Sequence, residues 1–155
     1  MAYSAMAVAN AFIKRAKEGR VYDLSPMKLQ KLMFYAQSWY LRHRNSPLMD
    51  DVFCRWQYGP VIPSLYHEFK GYGAAPITQY GNHLSTDHGG YRVTTPVIPD
   101  NDPDAWWYVD EVIRVYGGLS GAQLSNMTHQ AGTAWSVGPP DGGPIPNNLL
   151  AERIA

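Results

Sequence analysis

Glycine and proline are unevenly spread along this chain, and that unevenness limits its fold more than any other feature. Six of the 26 fall in residues 1–70, and 20 fall in residues 71–155. Both residues interrupt regular structure. The first stretch is therefore expected to be rich in helix, and the second to hold longer irregular segments. At 155 residues the chain has the length of one domain, expected to span 1–155. A chain of that size buries roughly 70% of the surface it exposes unfolded.

Residues 26–43 give the clearest helix. Ser25 is an N-cap, Pro26 suits the first helical position, and Leu24 with Leu29 occupies the two staple positions. Leu29, Leu32, Met33, Ala36 and Tyr40 form its apolar stripe, with Lys28, Lys31 and Arg42 expected off the centre. Asn45-Ser46-Pro47 ends it. Residues 2–18 form an earlier helix on Met6, Ala9, Ile13 and Ala16, stopped by Gly19. Residues 52–56 are a strand or a helical turn, which Tyr58-Gly59-Pro60 breaks. A helix of about two turns follows Pro63 and ends near Gly71. Ile77–Tyr80 and Tyr91–Thr94 are expected to pair across a ten-residue loop. Asp102-Pro103 opens a helix that buries Trp106, Val109, Ile113 and Tyr116 and stops at Gly117-Gly118. Ser120 with Gln123 forms a capping box for a helix over 121–130. The tail reads as loop, with a last helical turn over 147–154. The fold expected is mainly α: a single-domain helical bundle with a small β-hairpin excursion.

Composition removes several classes. Apolar residues make up 45%, and charged residues only 17%, against a usual share of about 25%. With 5 Trp, 11 Tyr and 4 Phe, the chain is not a disordered charged tail. Cys54 is the one cysteine, so a disulfide scaffold is excluded. No apolar run approaches membrane-spanning length. The N-terminus lacks a basic stretch before its apolar part, unlike a signal peptide, so a cytoplasmic location is expected. Net charge is zero, but residues 1–70 hold ten Lys/Arg against five Asp/Glu, and residues 71–155 hold three against eight. The halves carry +5 and −5. They either present a dipolar surface to charged partners or pack together and spread their charge.

Reacting groups are sparse. His67-Glu68 begins a zinc-protease motif, but position 71 is Gly where the second His belongs. His83 and His88 stand five apart without a supporting Cys or carboxylate cluster. Cys54 and His129 are a nucleophile and base only if the fold joins them; a lone Cys among apolar neighbours is otherwise a small buried hydrophobe. Neither a phosphate-binding loop nor a dinucleotide fingerprint occurs, and no cofactor is expected. Lys14, Arg15, Lys17 and Arg20 form a basic cluster, but a sequence pI of about 7.0 argues against nucleic-acid binding. The aromatic content remains. Trp and Tyr are the usual anchors of protein–protein contacts, and Trp39, Trp56, Trp106, Trp107 and Trp135 divide between that role and core packing.

Three motifs carry a resemblance. They are residues 28–37 (KLQKLMFYAQ), then Pro47-Leu48 with Trp56-Gln57-Tyr58-Gly59-Pro60-Val61-Ile62-Pro63 and Tyr66, and last Leu124-Ser125 with Thr128-His129 and Trp135. In this order, over about residues 8–150, the chain resembles the SocA-like antitoxin, or Panacea, domain family, which includes phage-associated GepA-like proteins. Cys54-Arg55 stands where the family more often has an acidic residue and Ala, and Ala134 where Pro is common, which implies a less rigid loop at 130–136. The resemblance implies a toxin–antitoxin role. The partner would be a cognate protein toxin, with alarmone-synthetase-like enzymes among those the family neutralises, and no turnover is expected. A proteolytic adaptor that delivers its toxin to a protease is the neighbouring alternative, and a small hydrolase or transferase using Cys54 or His129 the competing class. The resemblance gathers Lys28, Gln30, Lys31, Trp56, Tyr58, Gly59, Pro60, Tyr66, His129 and Trp135 either around one binding cleft or as braces of the helix-to-turn junction. Asp102 and Asp104, in an acidic segment with Asp100, Asp110 and Glu111, are expected to face a basic toxin.

Overall fold

A computed structural model describes residues 2–87 and 89–154. Its order is α1 (Ala5–Lys17), α2 (Pro26–Arg44), β1 (Cys54–Trp56), β2 (Gly59–Val61) and α3 (Pro63–Phe69), with a 3-10 turn over Lys70–Tyr72. There follow β3 (His83–Asp87), β4 (Gly90–Thr94), α4 (Pro103–Tyr116), α5 (Gly121–Thr128) and α6 (Asn147–Glu152). The fold is mainly α, six helices with two small antiparallel hairpins, as the sequence implies. Among the described residues, no helix is long and apolar enough to cross a membrane.

Local chemistry sets the helix ends. The Ser25 hydroxyl accepts from the Lys28 amide with Pro26 in the first turn, and Asn45 closes α2 in the left-handed region (φ 53°). Asp102 accepts from the Ala105 amide at the start of α4. Both halves of the Ser120–Gln123 capping box form. Gly19, at φ 78°, ends α1 as expected, because a residue without Cβ enters that region freely.

The centre of the molecule differs from the amphipathic reading. Residues 28–38 of α2 are all buried, Lys28 and Lys31 among them. The helix is enclosed by α1, α4, α5, α6 and β2, so over these eleven residues it has no solvated side, and only its last turn, Arg42–Arg44, is exposed. Tyr35 stacks on Tyr116 of α4 with centroids 4.1 Å apart, and Phe34 meets Phe53 edge-on. Trp39, Trp56, Trp106 and Trp135 are half-buried, while Trp107 is exposed.

The β structure needs two corrections. Gly59-Pro60 does not break the segment after β1; Gly59–Val61 is β2, in register Cys54↔Val61, Arg55↔Pro60 and Trp56↔Gly59. A sheet of two strands tolerates Pro60 because its missing N–H need not face a ladder partner. The other hairpin pairs His83–Asp87, not Ile77–Tyr80, with Gly90–Thr94. Ile77 is taken by the core instead, 5% exposed, with its amide donating to Leu24 O at 2.9 Å. The closer pairing also suits the short loops that hairpins favour. His88 lies outside the described residues. The tail is less loop-like than its composition suggests: Cys54 bridges to Pro144, and Ile145 N donates to Phe53 O at 2.7 Å.

The two oppositely charged halves pair with each other. Arg15 meets Asp110 at 2.7 Å, Arg20 meets Asp110 at 3.5 Å, and Arg44 meets Asp104 at 3.2 Å.

Candidate functional site

A groove of about 620 Å3 opens between the first turns of α2, the β1–β2 hairpin, α3 and the tail at Pro140 and Gly142. Its size is that of a ligand pocket. Five residues singled out from the sequence line it: Gln30, Lys31, Trp56, Tyr58 and Tyr66. Trp56 and Tyr66 meet edge-on, 5.0 Å between centroids, and Tyr58 at the hairpin tip is 63% exposed.

The helix side of the groove is built by polar groups reaching to main chain. Gln30 Nε2 donates to Ile62 O at 3.0 Å, and its Oε1 accepts from Ile62 N at 2.9 Å. One side chain thus replaces a strand partner for Ile62. Lys28 Nζ donates to Tyr22 O at 2.8 Å and to Gly117 O at 2.7 Å, at the C-terminal end of α4, where a cation is favoured. Lys31 is 1% exposed, and Nζ has one hydrogen bond, to Pro60 O at 3.2 Å. Burial without a carboxylate partner pushes its amine down to about 7, because a low-dielectric surrounding disfavours the charged form. Burial also lowers the Lys28 amine.

Gly59 makes this approach possible. It sits at φ 115°, and a Cβ there would stand 2.7 Å from Lys31 Cε and 2.8 Å from Thr128 Oγ1. Pro60 contributes its carbonyl. The far side of the hairpin is fixed by α5 and the loop behind it. Ser125 Oγ donates to Tyr58 O at 2.7 Å, and Trp135 Nε1 donates to Trp56 O at 2.8 Å. The His129 ring packs on Trp135, 3.9 Å between centroids. Its nitrogens approach Ser125 O at 2.6 Å and Gln57 O at 3.0 Å.

These ten residues divide. Trp56, Tyr58 and Tyr66 present surface to the groove, Gln30 and Lys31 line it while buried, and Lys28, Gly59, Pro60, His129 and Trp135 hold the junction. Asp102 and Asp104 lie at the start of α4, not in the lining of the groove. Asp102 accepts from Tyr3 OH and caps α4, and the Tyr3 bond holds its carboxyl below the usual range. Asp104 pairs with Arg44, and Asp100, Asp110 and Glu111 each have a basic neighbour within 4.0 Å. The acidic segment is thus largely compensated within the chain.

The sequence missed Arg55. It is buried, and its guanidinium donates to Ala134 O and Trp135 O at 3.1 Å and to Pro144 O at 3.5 Å. This tie holds the 130–136 loop at Ala134, where proline is missing. Only the departure at positions 54–55 signalled it.

Cys54 and His129 are not brought together as nucleophile and base. His129 directs both ring nitrogens at carbonyl oxygens rather than at Cys54, and burial pushes the Cys54 thiol up. Among the described residues, no group of three His, Cys, Asp or Glu side chains is placed to hold a metal.

A helical scaffold thus carries an aromatic groove beside a braced hairpin. The chain belongs to the SocA-like antitoxin, Panacea domain family, whose model matches residues 29–136. That span includes the groove wall, the hairpin and the His129–Trp135 brace. The chain is similar to Antitoxin SocA of Caulobacter vibrioides (strain NA1000 / CB15N), 29% identical over 133 residues, which covers 86% of this chain and 69% of the relative. No solved structure matches it.

Proposed function

We propose that this protein is an antitoxin that neutralises a cognate protein toxin by direct, one-for-one binding, and that it transforms nothing itself. The whole chain acts as one domain, and the groove with its Tyr58 rim is the docking face. The observation that carries this reading is the exposed Tyr58 and Tyr66 beside an apolar 620 Å3 groove. Large aromatics around a concavity are typical binding anchors. The compensated acidic segment offers a weaker electrostatic contact, because its carboxylates are already paired. The family and the relative's name support a toxin as the partner, an alarmone-synthetase-like enzyme being one class to try.

Co-expression with the neighbouring open reading frame tests the reading. Growth arrested by the neighbour alone is expected to be restored by the pair, and the two chains to co-purify at equal stoichiometry. Rescue without a lasting complex, dependent on a host protease, would replace plugging by delivery. Absence of rescue would remove the antitoxin role.

A further inference from the structure

The groove has an unbalanced charge. Lys31, Arg55 and Lys70 line it, and no Asp or Glu does. Two of these cations are buried, Lys31 at 1% and Arg55 at 8% exposed. Neither has a carboxylate within 4.0 Å among the described residues. Buried cations are ordinarily paired, because an uncompensated charge in a low-dielectric site is costly. Arg55 at least spends its donors on three carbonyl oxygens. Lys31 does not: an ammonium has three N–H donors, and one is used, on Pro60 O.

We propose that the groove receives a segment of the toxin in which an Asp or Glu carboxylate stands beside an apolar or aromatic side chain, the carboxylate pairing with Lys31 and the apolar group packing between Trp56, Tyr66 and Phe69. This rests on the antitoxin reading and specifies what the docking face recognises. Charge complementarity selects an anion. A carboxylate fits the single short-handed amine of Lys31, since the Gln30 amide is engaged by Ile62 and three of the five Arg55 N–H groups by the tail. The apolar walls require an apolar body beside the charge. The exposed rim of Tyr58 and Tyr66 continues the contact beyond the groove, which suits a polypeptide better than a small metabolite.

The pairing also predicts a proton balance. The ionisable groups lining the groove with Lys31 are Arg55, Tyr58, Tyr66 and Lys70. With its amine at about 7, Lys31 is mostly neutral at pH 8.5. An anion that binds the ammonium must draw a proton from solution there, and a neutral analogue must not.

The test uses the full chain with 3-phenylpropionate as probe and 3-phenylpropionamide as its uncharged match. At pH 6.5 the carboxylate is expected to bind at least about tenfold tighter, the scale of one charge-assisted hydrogen bond. At pH 8.5, calorimetry in buffers of different ionisation enthalpy is expected to show proton uptake with the carboxylate alone. Lys31→Met, checked for a thermal melt no lower than wild type, is expected to lose both the preference and growth rescue. Equal binding of the two probes by wild type, or a preference that survives in Lys31→Met, overturns the proposal. Wild-type rescue with equal probe binding leaves the antitoxin reading standing and removes only this one. Carboxylate preference without wild-type rescue removes the antitoxin reading and, with it, the toxin as occupant. If Lys31→Met does not fold, the wild-type preference and proton uptake decide the matter.

Discussion

Gly59 and Lys31 are one device seen from two sides. The amine reaches the hairpin only because position 59 has no side chain and takes a positive φ. Gly59→Ala is expected to lower stability by about 2–4 kcal/mol, from backbone strain and overpacking together; denaturant titration checks it, and a loss under 0.5 kcal/mol would show that the junction yields. Lys31 fixes the sign of a pH effect. Its folded value, about 7, lies below the ordinary 10.5, so between those limits the unfolded chain binds more protons and stability rises with pH. The burial penalty is fully present below pH 7 and disappears as pH climbs toward 10.5. Wild type is therefore expected to gain on Lys31→Met between pH 7 and 10 in paired urea titrations. Parallel profiles would mean that the amine is hydrated.

At the scale of elements, the helix ends were legible and the helix surroundings were not. Ser25-Pro26, Asp102-Pro103 and the Ser120–Gln123 pair act within one turn, so sequence alone reveals them. That residues 28–38 of α2 are buried on every side depends on α4, α5 and α6, the first of which begins only at Pro103. The sequence therefore puts Lys31 off the centre of the apolar stripe but does not reveal its burial. Ile77–Tyr80 had the composition of a strand, but a core position for Ile77 outweighed local propensity. α6 is the case most easily underrated, with six residues, too few to be stable alone. Its Leu150 is 1% exposed, in a helix packed on α2. Leu150→Ala is expected to cost about 2–4 kcal/mol, read as a lowered midpoint of unfolding with unchanged slope. A surface-sized loss, below 0.5 kcal/mol, would place α6 outside the core.

Over the whole molecule, the candidate site joins distant parts of the chain. Family-like motifs supplied Gln30, Lys31, Trp56, Tyr58 and Tyr66, but the rim from Pro140 to Gly142 was invisible, because main-chain groups hold it. Arg55→Met is expected to speed amide exchange across residues 142–145 by at least about tenfold while α2 stays protected, because local openings lose the hydrogen bonds that oppose them. Uniform loss of protection would instead mark Arg55 as part of the global core. The halves +5 and −5 largely cancel through ion pairs that cross between them, and exposed pairs of this kind contribute only about 0–1 kcal/mol each. They dampen the long-range field more than they strengthen the fold.

The Arg55 tie has a consequence for how such a domain diversifies. Its acceptors are the carbonyls of Ala134, Trp135 and Pro144, and a carbonyl is supplied by any amino acid. Substitutions at the exposed positions between these acceptors can therefore re-letter one bank of the groove without loosening its anchorage, provided that two residues are kept: Trp135, whose indole braces Trp56, and Gly138, where a Cβ would stand 2.4 Å from the guanidinium carbon. A lineage obliged to follow a changing adversary would have a stretch of surface to rewrite and a fastening indifferent to what is written there.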